Sequence, residues 1–165
     1  MRVVQSSVVI EKTPAVVLSA FTDINHLKNW WGVERSFIEL KHGGLYSLVW
    51  KVSGDAMGFV TTGIVTEYLP DCQLKIENLV YFNPQRPVLG PMELMVLTTP
   101  EGIGTTLTVV QSGYKNGPDW DWYYTAVKDA WPTMVLKIKN YLEKIEPVMT
   151  SGPKPGAIDI KSRRI

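Results

Sequence analysis

The feature that most constrains the fold is a change of hydrophobic period along the chain. From about residue 35 to residue 114, apolar and polar residues alternate with a period of two, which is typical of half-buried strands. From residue 119 to residue 146, apolar residues recur at i, i+3, i+4 and i+7, which is typical of an amphipathic helix. The pattern predicts a sheet with one apolar face and a single long helix that covers it.

Short turn sequences divide the alternating region into strands. A first strand is predicted at 3–10, and the others at 35–40, 44–52, 57–70, 73–82, 92–99 and 105–114. Sequential strands joined by short turns form an antiparallel meander. The segment NPQRPVLGP at 83–91 predicts a loop that can form a lip over a cavity.

Helix signals lie on both sides of this region. Thr13 is a suitable N-cap with Pro14 at the first helical position, and Asp23 can cap a second short helix that Gly32 ends. Pro132 predicts a kink or a fresh helix start within the long C-terminal segment. The order of elements predicts an α+β helix-grip fold. In this fold, a curved antiparallel sheet of about six to seven strands wraps around a long C-terminal helix.

Length and charge narrow the functional classes. The 165 residues suit one domain, predicted at 1–146, followed by a flexible tail at 147–165 that is rich in glycine and proline. A net charge of +1, with scattered Lys and Arg, lacks the basic patch of a nucleic-acid binder. With no apolar run of about 18 residues and no signal-peptide layout, we expect no membrane span and a cytoplasmic location.

Metal and cofactor chemistry is not expected. The single Cys72 excludes an internal disulfide and a cysteine metal cluster. His26 and His42 have no paired spacing and are expected to face solvent. The sequence also contains no phosphate-binding glycine motif and no catalytic constellation, so we expect neither a cofactor nor a metal.

A group of aromatic and amide side chains predicts a ligand site. Adjacent Trp30 and Trp31 cannot both face one core from one helix, so we expect one in the core and the other on a cavity wall. The alternative is that both only fill the end of the core. Asn78 lies in the apolar register of its strand, and both it and Gln111 need a partner inside the fold or a bound ligand. The candidate ligand-binding residues are Trp30, Trp31, Tyr46, Trp50, Asn78, Gln111, Trp120 and Tyr124.

The chain also resembles a known family. The matching segments are TPAVVLSAFTDINHLKNWW at 13–31, GGLYSLVW at 43–50, GIVTEYLPDCQL at 63–74, TTLTVVQSGY at 105–114 and WPTMVLKIKNYL at 131–142. These resemble the activator of heat-shock protein 90 ATPase homologue family, within the START-like, birch-pollen-allergen-like (SRPBCC) superfamily. The 83–91 loop and Pro132 depart from the family pattern.

The resemblance implies a lipid- or small-molecule-binding fold whose members range from carriers to cyclases to chaperone regulators. The first hypothesis is binding of an apolar small molecule, such as a lipid or an aromatic metabolite, between the sheet and the C-terminal helix. The second is a cyclase- or dehydratase-type enzyme using Glu67, Asn78 or Gln111 with His42. The third is a protein-interaction module that regulates a chaperone or another partner. A homodimer also stays open.

Overall fold

A computed structural model describes residues 1–54 and 57–146, which contain a seven-stranded sheet and three helices. The elements in chain order are β1 (Val3–Ile10), α1 (Pro14–Ser19), α2 (Ile24–Trp31), β2 (Arg35–Ile38), β3 (Leu45–Trp50), β4 (Phe59–Leu69), β5 (Gln73–Phe82), β6 (Leu89–Glu101), β7 (Gly104–Ser112) and α3 (Pro118–Lys144). All strand pairs are antiparallel, in the order β1-β7-β6-β5-β4-β3-β2. The predicted helix-grip fold is confirmed. The predicted tail lies outside the described residues.

The short helices begin and end where the sequence predicts. The side chains of Thr13 and Asp23 accept hydrogen bonds from backbone N–H groups in the first turns of α1 and α2. Gly32 ends α2 in the left-handed conformation, with φ of 71°. The two helices connect β1, at one edge of the sheet, to β2, at the opposite edge.

The long helix is continuous through Pro132 from Pro118 to Lys144, so no second helix starts there. Trp131 and Val135 lie on either side of the proline and are buried in the core. Packing of this apolar face supplies most of the stability of a helix in a protein and holds the two halves together. No helix among the described residues is both long enough and apolar enough to cross a membrane.

Polar contacts attach the C-terminal half of α3 to β1. Glu143 Oε1 accepts from the backbone N–H of Glu11 at 3.0 Å and from Lys139 Nζ at 2.7 Å. Lys139 Nζ also donates to the backbone oxygen of Val9 at 2.7 Å. These bonds attach the last turns of α3 to the C-terminal end of β1.

This cluster makes stability depend on pH. The Lys139 ammonium and the Glu11 N–H hold the pKa of Glu143 below its usual value of 4.5. The folded state thus favours the carboxylate, so its contribution is present above about pH 4.5 and is lost as the pH falls through the folded-state pKa. In urea titrations, we expect Glu143→Gln to lose less stability on acidification than the parent. Asp129→Asn, on the exposed face of α3, should keep the parental profile. Parallel profiles for Glu143→Gln and the parent would contradict the assignment.

Candidate functional site

A cavity of about 420 Å³ lies between the sheet and α3 and reaches the surface at Lys51 and Trp122, which are exposed. Its walls come from α2, from strands β3 to β7 and from one face of α3. The lining residues are Trp31, Trp50, Lys51, Phe59, Thr61, Leu79, Tyr81, Leu94, Gln111, Trp122, Tyr123, Ala126, Val127, Ala130, Trp131 and Met134. Most of these side chains are apolar or aromatic, so the cavity suits an apolar ligand.

The two adjacent tryptophans have different surroundings. Their rings stack, with centroids 4.7 Å apart and planes 16° apart. Trp30 is buried, and its Nε1 donates to the backbone oxygen of Ala20 at 2.8 Å. Trp31 is half-buried and lines the cavity. Stacking on Trp30 thus gives the cavity wall a rigid aromatic backing.

One end of the cavity is a cluster of indole rings. Trp50 meets Trp31 edge to face, with centroids 5.1 Å apart, and its Nε1 donates to the backbone oxygen of Trp31 at 3.1 Å. The ring centroid of Trp131, from α3, lies 5.7 Å from that of Trp31. Hydrogen bonding and edge-to-face contact fix the orientation of these rings.

Another part of the cavity wall is a row of stacked rings from the sheet and the helix. Phe59 stacks on Tyr81 with centroids 6.5 Å apart, and Tyr81 stacks on Tyr123 with centroids 4.8 Å apart. Lys51 Nζ lies 5.1 Å from the Phe59 ring at the surface. A flat aromatic ligand could continue this stack.

A bulge in β5 brings Tyr81 into this row. The pairing of β5 with β6 shifts between Ile76 and Leu79, and Asn78 has a φ of 52°. The extra residue reverses the alternation, so that Leu79 and Tyr81 line the cavity while Asn78 is exposed. The predicted interior position of Asn78 is therefore wrong.

A hydrogen-bonded polar group lies within the apolar walls. Gln111 is 5% exposed. Its Oε1 accepts from Trp131 Nε1 at 3.3 Å, and its Nε2 donates to the Tyr123 hydroxyl at 3.2 Å and to Met92 Sδ at 3.7 Å. Burial raises the pKa of Tyr123 to about 12, so its hydroxyl is protonated at neutral pH. Gln111 thus has partners within the protein, which is one of the two alternatives that the sequence left open.

Besides Trp30 and Asn78, three further predicted residues lie outside the lining. Tyr46 is buried and donates from its hydroxyl to the backbone oxygen of Phe21 at 2.7 Å. Trp120 and Tyr124 pack around Tyr114 instead, with centroids 6.4 and 5.1 Å from its ring. The predicted cavity positions of these three are wrong. Trp120 lies almost one turn nearer the start of α3 than the lining residue Tyr123, where it packs on Tyr114. Tyr124 is rotated about 100° from Tyr123 around the helix.

The residues of the enzyme hypothesis are not brought together. His42 and Glu67 are exposed; His42 Nδ1 contacts the backbone oxygen of Thr66 at 2.8 Å, and Glu67 accepts from Gln73. Of this proposed set, only Gln111 lines the cavity. His26 was expected to face solvent, but it is half-buried and its Nδ1 lies 2.8 Å from the Tyr141 hydroxyl. Within residues 1–54 and 57–146, no group of three or more metal-ligating side chains converges.

Sequence reasoning missed several lining residues. The helical stripe that contains Trp131 extends back to Tyr123 and Val127, so spacing along α3 could have identified those residues. Tyr81 could not be found by alternation because the bulge reverses its face. The loop predicted at 83–91 is shorter in the structure, because β6 begins at Leu89. Arg86 in this loop contacts the cavity mouth, and its guanidinium lies 3.7 Å from the centre of the Trp122 ring. Arg86 also pairs with Asp119 at 3.3 Å.

Solved structures share this architecture. Protein MLL2253 from Mesorhizobium loti is 22% identical with a TM-score of 0.69, over 88% of this chain and all of that chain. The Aha1 dimer from Colwellia psychrerythraea is 15% identical with a TM-score of 0.65, over 87% and 98%. DynU16, a protein in the dynemicin biosynthetic locus, is 20% identical with a TM-score of 0.66, over 86% and 47%. At these identities the similarity shows the fold alone.

Sequence comparison identifies the family. No curated protein matches the chain. The family model described as Activator of Hsp90 ATPase homolog 1-like protein matches residues 11–143, which include both short helices, the strands from β2 to β7 and nearly all of α3. The chain therefore belongs to the Activator of Hsp90 ATPase homolog 1-like protein family.

Proposed function

We propose that this protein binds an apolar, aromatic small molecule in the cavity between the sheet and α3. The observation that carries the proposal is a cavity of about 420 Å³ with mainly apolar walls, in which seven aromatic side chains include several held in fixed orientations. Ligand sites are typically concave and apolar with a few placed polar groups, in a range of roughly 300–1,000 Å³. The size and composition of the cavity match that description.

The lining favours binding over acid–base catalysis. Among the lining residues that the structure describes there is no carboxylate and no imidazole. These are the groups most often used to move protons in an active site, and they must reach the reacting atom. Of the residues that the enzyme hypothesis named, Glu67, Asn78 and His42 are on the surface, and the Gln111 amide is not an acid or a base. The lining therefore suits an apolar ring compound that is bound without covalent change better than it suits a substrate of acid–base catalysis.

The first experiment asks whether a ligand is present. Native mass spectrometry of protein purified gently from its own source is expected to show a bound mass that departs on denaturation. Titration with 1-anilinonaphthalene-8-sulfonate should quench the emission of the tryptophans in the wall. A bare protein whose emission no aromatic probe or lipid changes would contradict the proposal and favour the protein-interaction hypothesis.

Filling part of the cavity should weaken binding. Ala130 lies in the lining on α3, where a larger side chain can occupy ligand space. We expect Ala130→Phe to weaken binding of the naphthalene probe by on the order of tenfold or more, which corresponds to about 1.4 kcal/mol. Ala15→Phe is the matched control, because Ala15 is an exposed helical alanine outside the lining. Equal affinities for the two variants would place the probe elsewhere.

A further inference from the structure

We propose that the aromatic ligand carries a hydrogen-bond acceptor, a carbonyl-type oxygen, which the hydroxyl of Tyr123 recognises inside the cavity. This inference rests on the proposed function and specifies its ligand class. It follows from the direction of a chain of hydrogen bonds that begins at Trp131 and passes through Gln111.

The chain begins at a group that can only donate. The Trp131 indole nitrogen has one N–H and no acceptor capacity. The atom of Gln111 that faces it, at 3.3 Å, must therefore be the carbonyl oxygen Oε1. This settles the orientation of the Gln111 amide and directs its NH₂ group toward Tyr123 and Met92.

The amide then determines the role of the tyrosine. Gln111 Nε2 can only donate, so the Tyr123 oxygen accepts its hydrogen bond at 3.2 Å. The second Nε2 hydrogen is directed at the Met92 sulfur at 3.7 Å, a weak acceptor. Every hydrogen-bonding group of the Gln111 side chain is thus engaged in one direction, from Trp131 toward Tyr123.

The hydroxyl hydrogen of Tyr123 is left over. Within residues 1–54 and 57–146, no group accepts a hydrogen bond from the Tyr123 hydroxyl. Tyr123 is 8% exposed and lines the cavity, so a bound ligand would cover this donor. A buried donor without an acceptor is unfavourable, and a ligand that supplies one gains the interaction. Burial also raises the pKa of Tyr123 to about 12, which keeps the donor protonated.

The surroundings of the donor define the rest of the ligand. Tyr123 stacks on Tyr81, and Trp131 and Trp31 face the same space. An oxygen conjugated to a flat ring system can meet the hydroxyl while the ring occupies the aromatic walls. Aryl ketones and quinones have this geometry, whereas an alkyl chain provides no acceptor along its length.

A matched pair of probes tests the inference. 9-Fluorenone and fluorene have the same three-ring frame and differ by a carbonyl in place of a methylene group. Dissociation constants of both are measured by quenching of tryptophan emission, for wild type and for Tyr123→Phe. We expect the fluorenone-to-fluorene affinity ratio to fall by roughly 3- to 10-fold in Tyr123→Phe, the range for one hydrogen bond. Comparing ratios cancels the difference in hydration between the probes.

Tyr81→Phe is the matched control. Tyr81 lines the same cavity and stacks on Tyr123, but it is only half-buried, and its hydroxyl lies beside Asn83 at the start of the β5–β6 loop, where water can accept its hydrogen. Its removal should leave the ratio within about twofold of wild type. A fall in Tyr81→Phe without one in Tyr123→Phe would overturn the assignment of the donor.

A spectroscopic measurement on wild type avoids reliance on a variant. The carbonyl stretching band of bound fluorenone should lie at lower frequency than in cyclohexane, because a hydrogen bond weakens the C=O bond. An unshifted band, or equal affinity ratios in wild type and Tyr123→Phe, would overturn the inference while leaving the proposed function intact. Failure of both probes to bind would contradict the proposed function as well.

Discussion

Replacing Phe21 with alanine is expected to lower the free energy of unfolding by about 3–5 kcal/mol. The Phe21 ring has no exposed surface. It meets Trp30 and Trp31 edge to face, with ring centroids 5.5 and 6.5 Å from its own. The Trp131 ring centroid is 6.4 Å away. Its removal leaves a void at the junction of α1, α2 and α3, which partial relaxation cannot fill.

Urea denaturation followed by circular dichroism measures this effect. Phe37→Ala is the matched control, because Phe37 is 59% exposed on the short edge strand β2. The control should change the free energy of unfolding by about 0.5 kcal/mol or less. Equal losses in the two variants would contradict the central position assigned to Phe21. Because Trp31 and Trp131 also line the cavity, Phe21→Ala should weaken probe binding as well.

Gly63→Ala is expected to lower the free energy of unfolding by about 1–3 kcal/mol and to weaken ligand binding. A Cβ atom at this position in β4 would lie 2.7 Å from Ile76 Cγ2, 3.0 Å from the Glu77 backbone oxygen and 3.2 Å from Leu79 Cα. Two of these atoms belong to the backbone of the β5 bulge. The absence of a side chain at Gly63 thus lets the bulged strand approach β4 closely.

The effect on binding follows from what the bulge does. It turns Leu79 and Tyr81 toward the cavity, so pushing β5 away moves the wall that stacks on Tyr123. Thr62→Ala, in the preceding position of the same strand, should cost less than about 1 kcal/mol and leave probe affinity unchanged. Stable Gly63→Ala protein with unaltered probe affinity would show that the bulge tolerates displacement.

Local signals in the sequence were sufficient for the order and type of elements. The caps at Thr13 and Asp23 and the stop at Gly32 act through bonds to neighbouring backbone groups, so a short stretch of sequence contains the whole cause. The same holds for the helical stripe that includes Trp131 and Val135. It also holds for the period-two strands, except where β5 bulges.

The positions of side chains in the site depended on non-local contacts. Alternation predicts the wrong face for Asn78, because a single inserted residue reverses the face of every residue after it in β5. The alternating pattern itself contains no sign of that insertion. Trp120 and Tyr124 are predicted in the cavity wall, but in the structure both rings pack against Tyr114, which follows β7. Aromatic composition indicates that a residue is buried, but not against which neighbour.

The sequence by itself therefore determined the helix-grip architecture, the pairing of Trp30 with Trp31 on one short helix, and the presence of Gln111 among apolar neighbours. Only the tertiary structure decided that β5 bulges opposite Gly63, and that Trp131, Gln111 and Tyr123 form one directed chain of hydrogen bonds. The physical reason is range. Periodicity and capping are set by residues within a turn or two of each other, whereas cavity walls and hydrogen-bond direction arise where distant segments meet.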